Sequence, residues 1–171
     1  MNRFVYTSVV SPNRYDELAD LMFFNHRQHL FRDDIVNAID RYGMPEIVTT
    51  DHALRFSVEK LGEVQSLYAF DGNAATGRLA GAMVYARVSD DKMVLLHMGI
   101  APEYQTGESE SHKLLALKMV RRLKKVGKTL KGVRRLEILY GRRSGDYSVA
   151  PGPYMAGQAV EFSSRRLNGT G

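Results

Sequence analysis

The sequence predicts one domain of the α/β (α+β) class, with a mixed, mostly antiparallel central sheet and helices on both faces. Three observations predict it. The 171 residues suit one domain with one continuous core. The hydrophobic fraction of 44% is typical of globular proteins. Several β-like runs in the middle of the chain are joined by turns too short for parallel crossovers. We expect this domain to cover residues 1–162, followed by a polar, basic tail over 163–171.

The amino-terminal part of the chain predicts one strand and two helices. Residues 3–10 are rich in β-branched and aromatic side chains, which favour a strand. Ser11 followed by Pro12 is typical of a helix start, and apolar residues then recur at helical spacing as far as Leu30. A second helix is predicted over 33–42, because two aspartates open it and a glycine follows it.

The middle of the chain predicts a meander of antiparallel strands. The β-like runs at 47–50 and 54–58 are weak candidates. The runs at 64–70, 79–88 and 93–100 are stronger, and short turns connect them. These three strands therefore pair in sequence order.

The carboxy-terminal part predicts a long helix and a strand parallel to the meander. After Pro102 a polar loop leads into a helix over about 109–126 with one apolar stripe. Residues 133–140 predict a strand that lies parallel to the last strand of the meander. Beyond it the chain is rich in Gly, Ser and Pro, and only 154–162 predicts another strand.

Positive charge is concentrated in one segment. Residues 113–143 contain twelve Lys or Arg and one acid, Glu137, a net charge of +11. The whole chain carries +5, so the remainder carries −6. Such a patch attracts phosphate groups, and weak nucleic-acid binding is one interpretation. Binding of that kind would place phosphates on Arg121, Arg122, Lys124 and Lys125, together with Lys128 and Lys131. A solvated helix face without a partner is the alternative.

Composition excludes several classes of protein. The chain has no cysteine, which excludes disulfides, thiolate zinc sites and cysteine nucleophiles, and fits a reducing compartment. No apolar run approaches the ~18–20 residues of a membrane span. The first ten residues are too short and polar for a secretory signal. His26 and His29 share a helical spacing but lack a third ligand in a nearby motif. We expect a cytoplasmic protein with no metal and no membrane partner.

One segment resembles a known family. The run LHMGIAPEYQTGESESHKLL, residues 96–115, resembles the central motif of the GNAT superfamily of acyl-CoA N-acyltransferases. In that family a strand ends in an apolar residue, which is followed by one variable residue and then by Pro. A loop then reads Arg or Gln, two variable positions, Gly, one variable position and Gly or Ala, and opens a long helix. Here Ile100 and Pro102 match the strand end, and Gln105 matches the first loop position. The element order over 3–140 also matches, about four-fifths of the chain.

The resemblance implies a GNAT-like fold that transfers an acetyl group from acetyl-CoA to an amine on a small molecule or a protein. Backbone N–H groups of the loop and the first helical turn would bind the pyrophosphate. Free backbone groups of the preceding strand would bind the pantetheine arm. The implied cofactor-binding residues are Met98, Gly99, Ile100, Gln105, Thr106, Gly107, Glu108, Ser109, Glu110 and Lys113.

Such a transfer also needs a base and an acid. His97 is the candidate base, because it is the titratable side chain on the strand before the loop. The alternative for His97 is a packed histidine without a catalytic role. Tyr140 and Tyr147 are the candidate acids, since they lie near the place where the family has its tyrosine.

The loop departs from the family pattern where small residues are expected, because Glu108 and Glu110 occupy both positions. Two like charges beside a diphosphate each cost on the order of 1 kcal/mol even in a water-like dielectric. Gly107 lies one position before the first expected small residue and would still let the backbone approach the phosphates. The positive charge of Lys113 would offset part of the repulsion. The alternative function is a non-catalytic subunit that keeps the fold inside a larger assembly, for example a virus particle.

Overall fold

The computed structural model describes residues 4–26, 28–105, 115–139 and 145–149. Within them the chain has an α+β fold of three α-helices and one eight-stranded sheet. The helices are α1 (Tyr15–Phe23), α2 (Arg32–Tyr42) and α3 (Leu115–Thr129), and short 3-10 turns lie at Pro12–Arg14, Gln28–Phe31 and Pro102–Tyr104. The strands are β1 (Phe4–Thr7), β2 (Pro45–Thr49), β3 (Leu54–Val58), β4 (Gly62–Asp71), β5 (Arg78–Ser89), β6 (Lys92–Ile100), β7 (Arg135–Ile138) and β8 (Gly145–Ser148).

The sheet is mostly antiparallel, as the sequence predicts. Its strand order is β2-β3-β4-β5-β6-β7-β8, and β1 pairs with β4 beside that path. Strands β4, β5 and β6 form the predicted meander. Residues 92–95 of β6 pair in parallel with β7, which confirms the predicted parallel neighbour. Helix α3 supplies the long connection that a parallel pair requires.

Helices cover both faces of the sheet. On one face the ring of His97 in β6 bonds to the carbonyl of Met22 in α1. On the other face Met93 of the same strand packs beside Gly127 of α3. Both faces are closed by buried side chains. The largest fully buried ones are Tyr68, Phe56, Phe70, Leu18, Met22, Leu54, Met83, Met93, Leu95, Leu115, Met119 and Leu123.

Some local predictions differ from the structure. The first helix ends at Phe23, and Leu30 lies in a separate 3-10 turn with 59% of its surface exposed. Strand β8, which pairs antiparallel with β7, was not predicted from its Gly- and Ser-containing sequence. The strand predicted over 154–162, the tail over 163–171 and residues 109–114 of the predicted long helix lie outside the described residues. None of the helices described is long and apolar enough to cross a membrane.

Glu137, the one acid of the basic segment, connects α2 to the sheet. Its carboxylate lies 2.7 Å from Arg41 Nη1 and 2.6 Å from Lys92 Nζ. Burial alone raises the pKa of Glu137, but the hydrogen bonds and charges of Arg41 and Lys92 outweigh it, and the pKa is lowered. The carboxylate is therefore ionised at neutral pH, and its single negative charge is shared by two cations.

We expect Glu137→Gln to lower the free energy of unfolding by about 1–2 kcal/mol, because both cations lose their counter-charge. Urea denaturation at pH 7 measures it, with Glu46→Gln on exposed β2 as the matched control. A lowered folded-state pKa stabilises above the ordinary value of 4.5, and this stabilisation is lost as the pH falls through the folded-state pKa. The difference between wild type and variant should thus shrink in acid. A difference that persists unchanged in acid contradicts this role.

Candidate functional site

A cavity of about 390 Å³ lies between helices α1 and α2 and one face of the sheet. Cavities of this size hold small molecules. Its walls come from the end of α1, from α2 and the start of β2, and from strands β3, β5 and β6. The lining residues are Met22, Phe23, Phe24, Gln28, Ile35, Ala38, Ile39, Tyr42, Gly43, Met44, Pro45, Val58, Val84, Leu96 and His97. Most of these side chains are apolar.

Strand β6 brings two neighbouring side chains into the cavity through a β-bulge. Leu95 pairs with Tyr85 and His97 pairs with Val84, so Leu96 is an extra residue in the ladder. Leu96 and His97 both line the cavity. In a regular strand Leu96 and His97 would lie on opposite faces, but the bulge breaks the alternation here. Bulges of this kind bend a strand and re-aim its side chains.

His97 is a buried polar residue of this cavity, with 8% of its surface exposed. Its Nε2 lies 2.7 Å from the Met22 carbonyl oxygen. Because a carbonyl only accepts, Nε2–H donates and the ring is the Nε2–H tautomer. Burial lowers the pKa of His97, although the hydrogen bond to Met22 opposes that shift. The imidazole is therefore neutral at pH 7, the form that can take up a proton.

The parallel ladder between β6 and β7 is described only as far as Leu139, since the residues after it lie outside the described part of the chain. The parallel pairing covers residues 92–95, and Leu139 N adds one bond of 3.3 Å to Leu95 O. Met98, Gly99 and Ile100 lie beyond that pairing. The carbonyl of Ile100 accepts bonds from Asn25 Nδ2 at 3.0 Å and Gln105 Nε2 at 2.7 Å.

The structure explains why residue 99 is a glycine. A Cβ added at Gly99 would lie 2.5 Å from the backbone oxygen of Leu21 and 3.2 Å from its carbonyl carbon. Helix α1 therefore approaches the strand so closely that only glycine fits. Gly99 is required by this contact whether or not a cofactor binds along β6.

Gln105 reaches back toward the strand. Its amide nitrogen donates to Ile100, whereas its Oε1 is buried without a hydrogen-bond partner among the described residues. The rest of the predicted pyrophosphate loop and one candidate acid lie outside the part of the chain that the structure describes. These residues are Thr106, Gly107, Glu108, Ser109, Glu110, Lys113 and Tyr140.

The candidate acid Tyr147 lies on the other face of the sheet from His97. Tyr147 of β8 pairs with Leu136, and its ring centre is 4.4 Å from Lys124 Nζ of α3. His97 faces α1. The structure therefore does not bring these two predicted catalytic residues together.

The basic face of α3 is partly used for packing. Lys118 Nζ lies 5.8 Å from the ring centre of Phe4, and the Arg122 guanidinium lies 3.8 Å from that of Tyr6. Such cation–π contacts fix long basic side chains on the protein surface. Among the six predicted phosphate-binding residues, Arg122 and Lys124 thus lie on aromatic rings. Arg121 and Lys125 are exposed on the helix.

The sequence did not identify the residues at and after the end of α1 as part of the candidate site. The Met22 carbonyl accepts hydrogen bonds from both His97 and Gln28, and Asn25 binds the carbonyl of Ile100. No motif marks these positions. The one sequence signal is the concentration of polar side chains directly after the apolar helix, which indicates a loop and not a site.

The fold and cavity define an α+β protein whose bulged central strand meets an apolar cavity below a helix. In comparisons with known proteins, no family model, no curated sequence and no solved structure matches the chain. Over the described ranges, no group of three or more His, Asp or Glu could hold a metal ion.

Proposed function

We propose that the chain is a GNAT-like N-acyltransferase that transfers the acetyl group of acetyl-CoA to an amine. The observation that carries the proposal is the cavity beside β6, which His97 of that strand lines from a buried position. The motif that resembles the family follows on that strand. A pantetheine arm would add along the edge at Met98, as peptides add to exposed strands.

The chemistry asked of the site is aminolysis of a thioester. The amine nitrogen forms a bond to the thioester carbonyl carbon, the C–S bond breaks, and the thiolate leaves. A base removes a proton from the amine, and the thiolate takes up a proton. His97 is suited to the base role, because it is neutral and lines the cavity beside β6.

The position of Tyr147 narrows the choice of acid. Tyr147 lies against α3, on the face opposite to His97, and cannot serve the same reacting atoms. Tyr140 remains the candidate acid from the sequence. Alternatively the leaving thiolate takes its proton from solvent, because a thiol of pKa near 8.5 is a good leaving group near neutral pH.

We expect the double variant Glu108→Gly and Glu110→Gly to bind acetyl-CoA about 10–30-fold more tightly than the wild type, since two charge repulsions of about 1 kcal/mol each disappear. Calorimetric titration of the full chain with acetyl-CoA measures this change. The matched variant with Gln at both positions removes charge but keeps bulk, and should gain part of the effect. If none of the three proteins gives a heat of binding at millimolar acetyl-CoA, the proposed function is contradicted.

A further inference from the structure

Each polar side chain described below uses one of its hydrogen-bonding groups on a protein partner. His97 and Gln28 both donate to the carbonyl of Met22. The hydroxyl of Tyr42 accepts a bond of 3.0 Å from Arg41 Nη2. Among the described lining residues there is no Asp, Glu, Lys or Arg. The described part of the cavity surface is therefore uncharged and offers an occupant mainly dispersion contacts.

Helix α2 covers this cavity and packs only partly against the core below it, through Ala38 and Tyr42. Its apolar face, which includes Ile35, Ala38 and Ile39, lines the cavity, yet none of its residues is buried. A helix with such a stripe normally buries it against a core. Here the cavity occupies the space in which those partner side chains would lie.

The rim of the cavity is also apolar and open to solvent. Phe24 is 75% exposed and Met44 is 60% exposed, and both line the cavity. Exposed large apolar side chains at the mouth of an apolar cavity are typical of ligand entrances. Glu59 stands beside Gly43, but it is exposed and does not line the cavity. An ammonium group inside would thus meet no carboxylate among the lining residues.

We propose that the cavity between α2 and the sheet binds an uncharged apolar group, aliphatic or aromatic. Apolar cavities hold water poorly and bind apolar molecules of suitable size. Such a ligand completes the packing of the apolar face of α2 and removes that face from water. That the ligand is the apolar body of the amine acceptor rests on the proposed function. The binding itself does not.

The test uses a neutral fluorescent probe, N-phenyl-1-naphthylamine, whose emission rises in apolar surroundings. The full chain should bind it saturably. Ala38→Trp places a large ring inside the cavity and should weaken binding at least 10-fold. Val36→Trp, two residues away on the exposed side of the same helix, is the matched control and should stay within about 2-fold of the wild type. Equal weakening in both variants, or no saturable binding by the wild type, overturns the proposal.

Two further measurements distinguish loss of folding from loss of probe binding, and the apolar site from the proposed transferase. The chain has no tryptophan, so each variant carries one reporter of its own position. A blue-shifted indole emission from the Ala38→Trp protein and a red-shifted one from the Val36→Trp protein verify that the fold is kept. If Ala38→Trp does not fold, Ala38→Phe replaces it as the smaller filler. Probe binding without acetyl-CoA binding would overturn the transferase and keep the apolar site, and the reverse result would overturn the apolar site alone.

Discussion

Replacing Gly99 by alanine is expected to lower the free energy of unfolding by about 2–3 kcal/mol. The new Cβ would lie 2.5 Å from the carbonyl oxygen of Leu21. That oxygen belongs to the backbone of α1, so no side-chain rotation can relieve the contact. The helix must move away from β6, and this movement also pulls the Met22 carbonyl away from His97. Urea denaturation followed by circular dichroism measures the change.

Gly127→Ala in α3 is the matched control for this effect. There an added Cβ would meet the Sδ of Met93 and Cγ2 of Val149 at 3.5 Å, an ordinary contact distance. Because alanine favours a helix over glycine by about 1 kcal/mol, this variant should be as stable as the wild type or more so. A Gly99→Ala protein as stable as the control would show that α1 does not lie against β6 in this way.

The stability of the protein is expected to fall as the pH drops below about 6.5, because of His97. Burial lowers the folded-state pKa of His97 below its ordinary value of 6.5. The unfolded chain then takes up a proton that the folded chain does not bind, so acid favours unfolding. The slope approaches about 1.4 kcal/mol per pH unit for one such group. Denaturation at several pH values between 8 and 5 measures it.

His97→Gln separates this contribution from all others. Glutamine keeps an N–H donor for the Met22 carbonyl but does not titrate. The other histidines are the same in both proteins, and the lowered pKa of Glu137 acts only below its ordinary value of 4.5. The difference in stability between wild type and variant should therefore change between pH 6.5 and 5 and stay constant above pH 7.5. Parallel curves over the whole range would refute a neutral, buried His97.

The order of the elements could be predicted from the sequence, because hydrophobic spacing and turn residues are local signals. The meander over β4, β5 and β6 and the parallel strand after α3 follow from short turns and one long connection. Strand β8 could not be predicted, since its formation depends on the open edge of β7 and not on its own composition. Leu30 continues the helical spacing of α1, yet the chain turns after Phe23. Spacing alone does not show where a helix stops.

The candidate site could be predicted only in part. The sequence points to His97, and the structure places it in a cavity. The cavity itself has no sequence signal, because the apolar residues of α2 have the same spacing as those of a helix that packs on a core. The bulge at Leu96 has no sequence signal either, because one extra residue does not change the composition of the strand. The separation of Tyr147 from His97 depends on which face of the sheet each strand presents, and register decides that.

The parallel pairing of β6 with β7 also has a consequence for how the chain folds. Lys92 and Arg135 lie 43 positions apart in the sequence, whereas the neighbouring strands of the meander are joined by short turns. The meander can therefore form early, and β7 joins only after α3 has brought the chain back across the sheet. Until then the whole outer edge of β6 is unpaired and can pair with a strand of another molecule. During synthesis this late-closing edge is the place where misassembly between nascent chains would begin.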